Sequence, residues 1–290
     1  MGSADGRVIG LTKIVDAGPP GSRWNLVIVA DGYRAPELGA FAEDARAVSN
    51  RLFATAPFNQ ADIREAINVY RLDVESTQSG ADKPICGGSG GGRGTAVATY
   101  FDGRFCFDGK TQRLLYGDDR LVRSTVEMHL AQWHQILVLV NDSERGGGGG
   151  AVGWLSNGGT DWQDVAIHEM GHSAFGLADE YDYNDGDRWP GGEPAEPNVT
   201  AEPDPTRVKW RALVTAGPAI PTRRNPNCSH TDPGPSPVSA GTVGTFEGAR
   251  YYRCGSYRPV WNCKMRQTLA DFCPVCQAEI IRVLGPFLQP

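Results

Sequence analysis

No stretch of the 290-residue sequence is apolar over the roughly 18 residues that a membrane-spanning helix requires, and the longest candidate, Ile136–Val140, has the length of a strand. Positive charge is scarce as well, because 28 basic residues stand against 34 acidic ones and give a net charge of −6 at pH 7. Nucleic-acid-binding proteins usually present a basic face, so this balance argues against that class. The hydrophobic fraction of 40% and the charged fraction of 21% are those of a globular protein and exclude a disordered chain.

Glycine and proline, in contrast, are abundant, with 37 and 20 residues. Both favour turns, so we expect a loop-rich protein with few helices. Hydrophobic periodicity predicts strands at 24–30, 66–74, 135–141 and 151–155, and helices at 36–52, 114–132, 160–175 and 274–284. Residues 184–245 show little periodicity. This order predicts an α/β first part and an irregular second part.

The seven cysteines are an odd number, so disulfides alone cannot use all of them; they lie at positions 86, 106, 228, 254, 263, 273 and 276. Cys273 and Cys276 have the spacing of a zinc-binding pair. Cys254 and Cys263 are nine residues apart, too far for a second such pair. We therefore favour disulfides in an oxidising compartment over a cytosolic zinc site. Cys86 and Cys106 bracket a glycine-rich loop and are predicted to pair.

The most specific chemical signal is an HExxH motif formed by His168, Glu169 and His172. Two histidines four residues apart on a helix project from one face, so both imidazoles reach one metal ion. Glu169 lies near the same centre, where it can take a proton from a zinc-activated water and pass it to a leaving amine. Thr160 as N-cap and Gly176 as C-cap bound the helix. The motif predicts a catalytic zinc ion.

A third protein ligand is needed to complete such a centre. The segment HEMGHSAFGLADEY resembles the metzincin pattern HExxHxxGxxH or D, in which a glycine turn returns the chain to the metal, but has one residue inserted. Asp179 keeps the spacing from Gly176 and is the favoured ligand. Glu180 is the alternative, either as a ligand or as a group that holds a histidine. A later glutamate is disfavoured by the proline-rich composition there; the candidates are Glu193, Glu196 and Glu202.

With three further segments, this motif resembles the M64 family of bacterial metallopeptidases, the IgA-peptidase family. The segments are WNLVIVADGYRAPELGAFAEDA, GTVGTFEGARYYRCGSYRP and NCKMRQTLADFCPVCQAEI, so the likeness covers most of residues 24–284. The resemblance implies a secreted or surface-exposed zinc endopeptidase with a metzincin-like domain, acting on protein or peptide substrates. It does not imply that immunoglobulin A is cleaved. Residues 1–6 have neither the charged nor the apolar region of a signal peptide, so we expect no leader within this chain.

Two more positions take their interpretation from this resemblance. Met265 resembles the Met-turn that lies beneath the zinc of metzincins, with an ordinary core methionine as the alternative. Tyr257 is a candidate donor to the oxyanion of the tetrahedral intermediate, with a buried tyrosine bonded to the backbone as an equal alternative.

Several features receive a weaker interpretation. Residues 153–155 are taken as an edge strand along which a peptide substrate would lie, and residues 146–150 as a permissive glycine loop. The acidic run 179–187 leaves Ca²⁺ binding open, but it misses the EF-hand spacing, so a solvated loop is favoured. Asp31 follows a strand, where a functional group could lie, but a turn-forming aspartate is favoured. We expect structural or exposed roles for His129, His134 and His230.

The sequence therefore predicts an α/β (α+β) metzincin-like zinc peptidase domain with a mixed twisted sheet. An N-terminal extension (1–23) precedes a subdomain with the sheet and zinc helix (24–176). A loop-rich subdomain (177–290) supplies the third ligand, Met-turn and terminal helix. The alternatives are a zinc hydrolase of a non-peptide amide and a non-catalytic metal-containing binding module. The intact His-Glu-His set argues against the second.

Overall fold

The computed structural model describes residues 2–88, 91–182, 188–204, 206–217, 222–225, 227–229 and 236–288. The chain divides into two compact units. Unit 1 comprises Met1–Ala54, Phe58–Ala174 and Leu284–Pro290, and unit 2 comprises Thr55–Pro57 and Phe175–Val283. The main division between residues 174 and 175 lies two residues before the subdomain boundary drawn from the sequence.

The regular elements, in chain order, are β1 (Gly6–Val15), β2 (Trp24–Asp31), α1 (Leu38–Ala54), α2 (Ala61–Arg64), β3 (Ile67–Ser76), α3 (Asp119–His129), β4 (Gln135–Val140), β5 (Gly147–Gly148), β6 (Gly153–Ser156), α4 (Trp162–Phe175), β7 (Phe246–Ala249), β8 (Tyr252–Arg258) and α5 (Pro274–Leu284). Among the described residues, none of the helices is long and apolar enough to cross a membrane.

Unit 1 is built on a six-stranded mixed sheet with the order β1-β3-β2-β4-β6-β5. The four inner strands run parallel, and β1 and β5 pair antiparallel at the two edges. Strands β2 and β4 are buried along their whole length, as expected for inner parallel strands with continuous Val, Ile and Leu runs. The prediction of a mixed α+β architecture is confirmed.

Both edges of this sheet differ from the sequence-based expectation. Residues 1–23, interpreted as an extension, contain β1, which pairs with β3 from Gly6 to Val15. The alternation of apolar and polar residues in β1 is weak because this strand is only partly buried. Strand β6, interpreted as an edge, has a partner on each side, since Gly147–Gly148 covers it. Five consecutive glycines suggested a loop from composition, but here part of the tract is a strand.

Unit 2 contains the β7–β8 hairpin, most of α5 and long irregular segments. One disulfide, Cys228–Cys254, links a loop of this unit to β8. The other described disulfide, Cys86–Cys106, lies in unit 1 and confirms the predicted pairing. Crosslinks of this kind stabilise segments that have little regular structure of their own.

Candidate metal centre

Helix α4 carries the HExxH motif. It begins at Trp162, because the carbonyl of Asp161 accepts hydrogen bonds from the amides of Asp164 and Val165 at 2.9 and 3.0 Å. An N-cap at Thr160 predicts a start at residue 161, so the helix begins one residue later than predicted. Its end is as predicted: the helix stops at Phe175, and Gly176 has a φ of +61°, the left-handed conformation in which glycine carries no steric penalty.

The imidazoles of the two histidines of the motif lie close together on α4. Nε2 of His168 lies 3.2 Å from Nε2 of His172, and the two rings are perpendicular. Two nitrogens bound at about 2.0–2.1 Å to one tetrahedral zinc ion lie about 3.3 Å from one another. The separation of the two nitrogens therefore fits that of two ligands of a shared zinc ion.

Glu169 is buried, and the glycine tract passes directly over its side chain. A Cβ placed on Gly147 would lie 2.6 Å from Oε1 of Glu169 and 3.0 Å from a methyl carbon of Val165. A Cβ on Gly149 would lie 2.6 Å from Cβ of His172. Side chains alternate along an extended segment, so these two positions face α4 together. Glycine is required there by the close approach of the tract to the motif.

The tract is held in place by hydrogen bonds on its other side. The amide of Gly147 donates to the carbonyl of Arg113 at 3.0 Å, and its carbonyl accepts from the amide of Leu115 at 3.2 Å. The Tyr116 hydroxyl donates to the carbonyl of Gly149. These contacts define the backbone over Glu169, in contrast to the permissive loop suggested by composition.

Asp179 belongs to unit 2, where the turn of the β7–β8 hairpin fixes it. The Tyr251 hydroxyl donates to Oδ2 of Asp179 at 2.5 Å, and the amide of Arg250 donates to its backbone carbonyl at 3.1 Å. The Tyr181 hydroxyl also bonds the Asp179 side chain. Sequence analysis missed Tyr251, which lies 72 residues from Asp179 and is brought to it only by the hairpin.

The hairpin turn explains how Tyr251 reaches this position. Arg250 and Tyr251 are the two turn residues, with φ values of +54° and +74°. Positive φ at both turn positions gives the turn type that matches the twist of a hairpin, although Asn and Gly usually occupy it. Non-glycine residues in this conformation are strained, and such strain often accompanies a functional side chain.

Glu180, the alternative ligand, has its own set of contacts in unit 2. It is fully buried, and burial raises the pKa of its carboxyl. Its Oε1 accepts a 2.9 Å hydrogen bond from Asn198 and lies 3.6 Å from Sγ of Cys276. The Glu180 amide donates to the carbonyl of Met265 at 2.7 Å, which ties the predicted Met-turn residue to this segment.

Tyr257 lies in β8, opposite Glu247 in β7. Burial and then the charge of Glu247 raise the pKa of Tyr257 to about 12. Its backbone exchanges hydrogen bonds with Thr200 at 2.7 and 3.0 Å. Its predicted role toward an oxyanion remains a prediction.

The three later glutamates considered as ligands are each engaged in an ion pair. Glu193 pairs with Lys209, Glu196 with Arg250, and Glu202 with Arg207. These partners neutralise the carboxylates locally and give each glutamate a structural role.

The comparison with protein families decides the assignment. Residues 12–230 and 236–284 match the model of the IgA peptidase M64 family. The chain belongs to this family. No curated protein matches it. Membership in M64 makes the protein a peptidase, that is, a hydrolase of a metallopeptidase family.

Two of the remaining histidines have structural roles in this M64 peptidase. His129 bonds the Thr125 carbonyl one turn earlier in α3, and Nδ1 of His134 accepts a 3.0 Å hydrogen bond from the amide of Asn25. His230 and residues 183–187 of the acidic run, for which Ca²⁺ binding was left open, lie outside the described residues.

Proposed function

We propose that this M64 peptidase is a zinc-dependent endopeptidase of protein substrates. The 3.2 Å separation of the His168 and His172 Nε2 atoms carries the proposal, because it is the spacing of two ligands of one zinc ion. The spacing of the HExxH motif and the position of Asp179 after Gly176 make His168, His172 and Asp179 the proposed ligands of the ion. When bound, zinc supplies Lewis acidity toward a water molecule and toward the peptide carbonyl.

Glu169 acts as general base and then as general acid. It takes a proton from the attacking water and delivers it to the nitrogen of the leaving amine. The glycine tract leaves room for the carboxylate but not for a side chain above it, which keeps Oε1 in a restricted position. Such positioning is a large part of the contribution of a general base.

Tyr257 is proposed as the donor to the oxyanion. A tyrosine hydroxyl keeps its proton at neutral pH, as a hydrogen-bond donor must, and burial and the charge of Glu247 raise the pKa of Tyr257 further, to about 12. The protein is proposed to act in a secreted, surface-exposed or periplasmic location. The two disulfides support this, since such bonds persist in oxidising compartments.

The mechanism is tested with Glu169→Gln, which keeps the size of the side chain and removes the base. Cleavage of a denatured protein substrate should fall by at least ~100-fold, as expected on loss of a general base, while zinc content stays equal to wild type. Glu127→Gln, at an exposed position of α3, is the matched control and should retain full activity. A chelator should abolish wild-type cleavage. Activity that survives Glu169→Gln would refute the assigned role.

A further inference from the structure

Unit 2 contains a second group of metal-ligating side chains, separate from the HExxH motif in sequence and in chemistry. Cys263, Cys273 and Cys276 are the free cysteines of the described residues, and all three are buried. Glu180, also fully buried, joins them. One donor atom from each of the four residues lies within 4.8 Å of every other.

The separations within this group are those of ligands around a single tetrahedral ion. Thiolates bound at about 2.3 Å to one zinc ion lie about 3.8 Å apart, and a thiolate and a carboxylate oxygen lie about 3.6 Å apart. Sγ of Cys263 lies 3.6 Å from Sγ of Cys276, which in turn lies 3.6 Å from Oε1 of Glu180. A disulfide would require about 2.05 Å between the sulfur atoms.

The backbone around these cysteines favours thiolates. Cys273 directly precedes α5, Pro274 is its first residue, and Cys276 lies in its first turn. A helix N-terminus stabilises a thiolate through its dipole and its free amides. The Cys276 amide donates to Sγ of Cys273 at 3.5 Å, and the Cys273 amide donates to Sγ of Cys263 at 3.3 Å.

Glu180 supplies an independent observation that points to a cation. Its Oε2 is buried and makes no hydrogen bond to any described residue. An unpartnered carboxylate oxygen in the interior is costly unless a positive charge compensates it. The guanidinium of the buried Arg258 attracts the Glu180 carboxylate, but it also attracts the carboxylate of Asp182. The three neighbouring cysteines contribute no positive charge.

We propose that Cys263, Cys273, Cys276 and Glu180 form a structural zinc site that is distinct from the catalytic centre. Four protein donors close the coordination shell, which is the mark of a structural rather than a catalytic zinc. Three thiolates favour zinc over magnesium or calcium. The site joins the segment after α4 to the start of α5, and it also accounts for the odd cysteine, since four cysteines form disulfides and three bind the metal.

The first test counts zinc ions by elemental analysis and native mass spectrometry. Wild-type protein should carry two per chain, and a His168→Ala/His172→Ala variant should keep one. One zinc in wild type and none in the double-histidine variant would overturn the proposal while leaving the proposed peptidase mechanism intact. Two ions in wild type with loss of both in the double variant would also overturn it.

The second test uses Co²⁺ alone, added to the metal-free double-histidine variant. Thiolate-to-cobalt charge-transfer absorption should appear, because the remaining site supplies sulfur ligands. Glu180→Gln in this background should weaken Co²⁺ binding by at least ~10-fold, as loss of a ligand does, and Glu247→Gln, another buried glutamate of unit 2, should not. Absence of the band, or a Cys263–Cys276 disulfide detected by thiol alkylation under denaturing conditions, would contradict a thiolate site.

Discussion

The position that a Cβ on Gly147 would occupy lies 2.6 Å from Oε1 of Glu169. The glycine-rich segment is therefore part of the candidate active site. Its backbone passes over the helix that carries the HExxH motif at a distance that excludes any side chain. The contact explains on steric grounds why Gly147 is a glycine, which composition could not do.

Gly147→Ala is expected to lower kcat by about 10- to 100-fold, because the new methyl group displaces the carboxylate of Glu169. The carboxylate is the end of a flexible side chain, but the new methyl group would also lie 3.0 Å from buried Val165, so the free energy of unfolding should fall by about 1–3 kcal/mol. Gly150→Ala is the matched control, since its Cβ would meet no atom closer than 3.7 Å. Peptide-cleavage kinetics and thermal unfolding measure the two effects. Equal kcat for the two variants would show that the contact does not position Glu169.

Tyr251→Phe is expected to weaken zinc binding at the catalytic centre by about 10- to 100-fold, because Asp179 loses the hydrogen bond that orients it. The measurement is the free zinc concentration that gives half-maximal activity in a metal buffer. Saturating zinc should restore most of the activity. Tyr252→Phe, whose ring contacts Trp189, is the control. An unchanged zinc requirement in Tyr251→Phe would count against Asp179 as a ligand.

Removal of the Cys86–Cys106 disulfide by a double Cys→Ala substitution should lower the free energy of unfolding by about 3 kcal/mol. This value follows from the entropy of closing a loop of 20 residues in the unfolded chain. Urea unfolding without reductant measures the difference. Arg93→Ala, exposed within the same loop, should leave stability within about 0.5 kcal/mol of wild type. A double variant as stable as wild type would show that the loop is already constrained in the unfolded state.

The buried carboxyl of Asp31 is expected to make the free energy of unfolding depend on pH. Burial outweighs the hydrogen bonds from Phe101, Gly103 and Thr99 and raises its pKa from 3.8 to about 6. The folded protein thus binds this proton more tightly than the unfolded chain does. The contribution of Asp31 to the free energy of unfolding therefore falls as pH rises from about 4 to about 6, by at most about 3 kcal/mol.

Asp31→Asn removes this titration. The difference in unfolding free energy between wild type and Asp31→Asn should change across that pH range and be constant above about pH 7. Asp62→Asn, at an exposed position of α2, should follow the wild-type pH profile. A difference between wild type and Asp31→Asn that is independent of pH would refute the raised pKa.

Much of unit 1 follows from local sequence patterns. The continuous apolar runs of β2 and β4 predict inner parallel strands, and the i, i+4 spacing of His168 and His172 predicts that their imidazoles approach one another. Each of these features is set by residues within one strand or one helix. The 3.6-residue and two-residue periods are therefore sufficient to find them.

The cysteines show where local patterns fail. The spacing of Cys254 and Cys263 argues against a zinc site, and disulfides are the better interpretation for four of the seven cysteines. Cys263, Cys273 and Cys276 are nevertheless free, and the fourth donor beside them, Glu180, lies 83 residues before Cys263 in the chain. Ligand spacing identifies sites built from two close pairs, and it cannot find a donor that folding brings from a distant segment.

The sequence by itself determined the inner strands, helix α4 with its terminating glycine, and the HExxH motif, because each depends on neighbours a few residues apart. Only the tertiary structure decided that Gly147 lies over Glu169, that Tyr251 holds Asp179, and that Glu180 joins three free cysteines. These contacts depend on strand order, on a hairpin turn and on the path of irregular segments. Those features are set by packing between segments that are distant in the chain, which no local periodicity encodes.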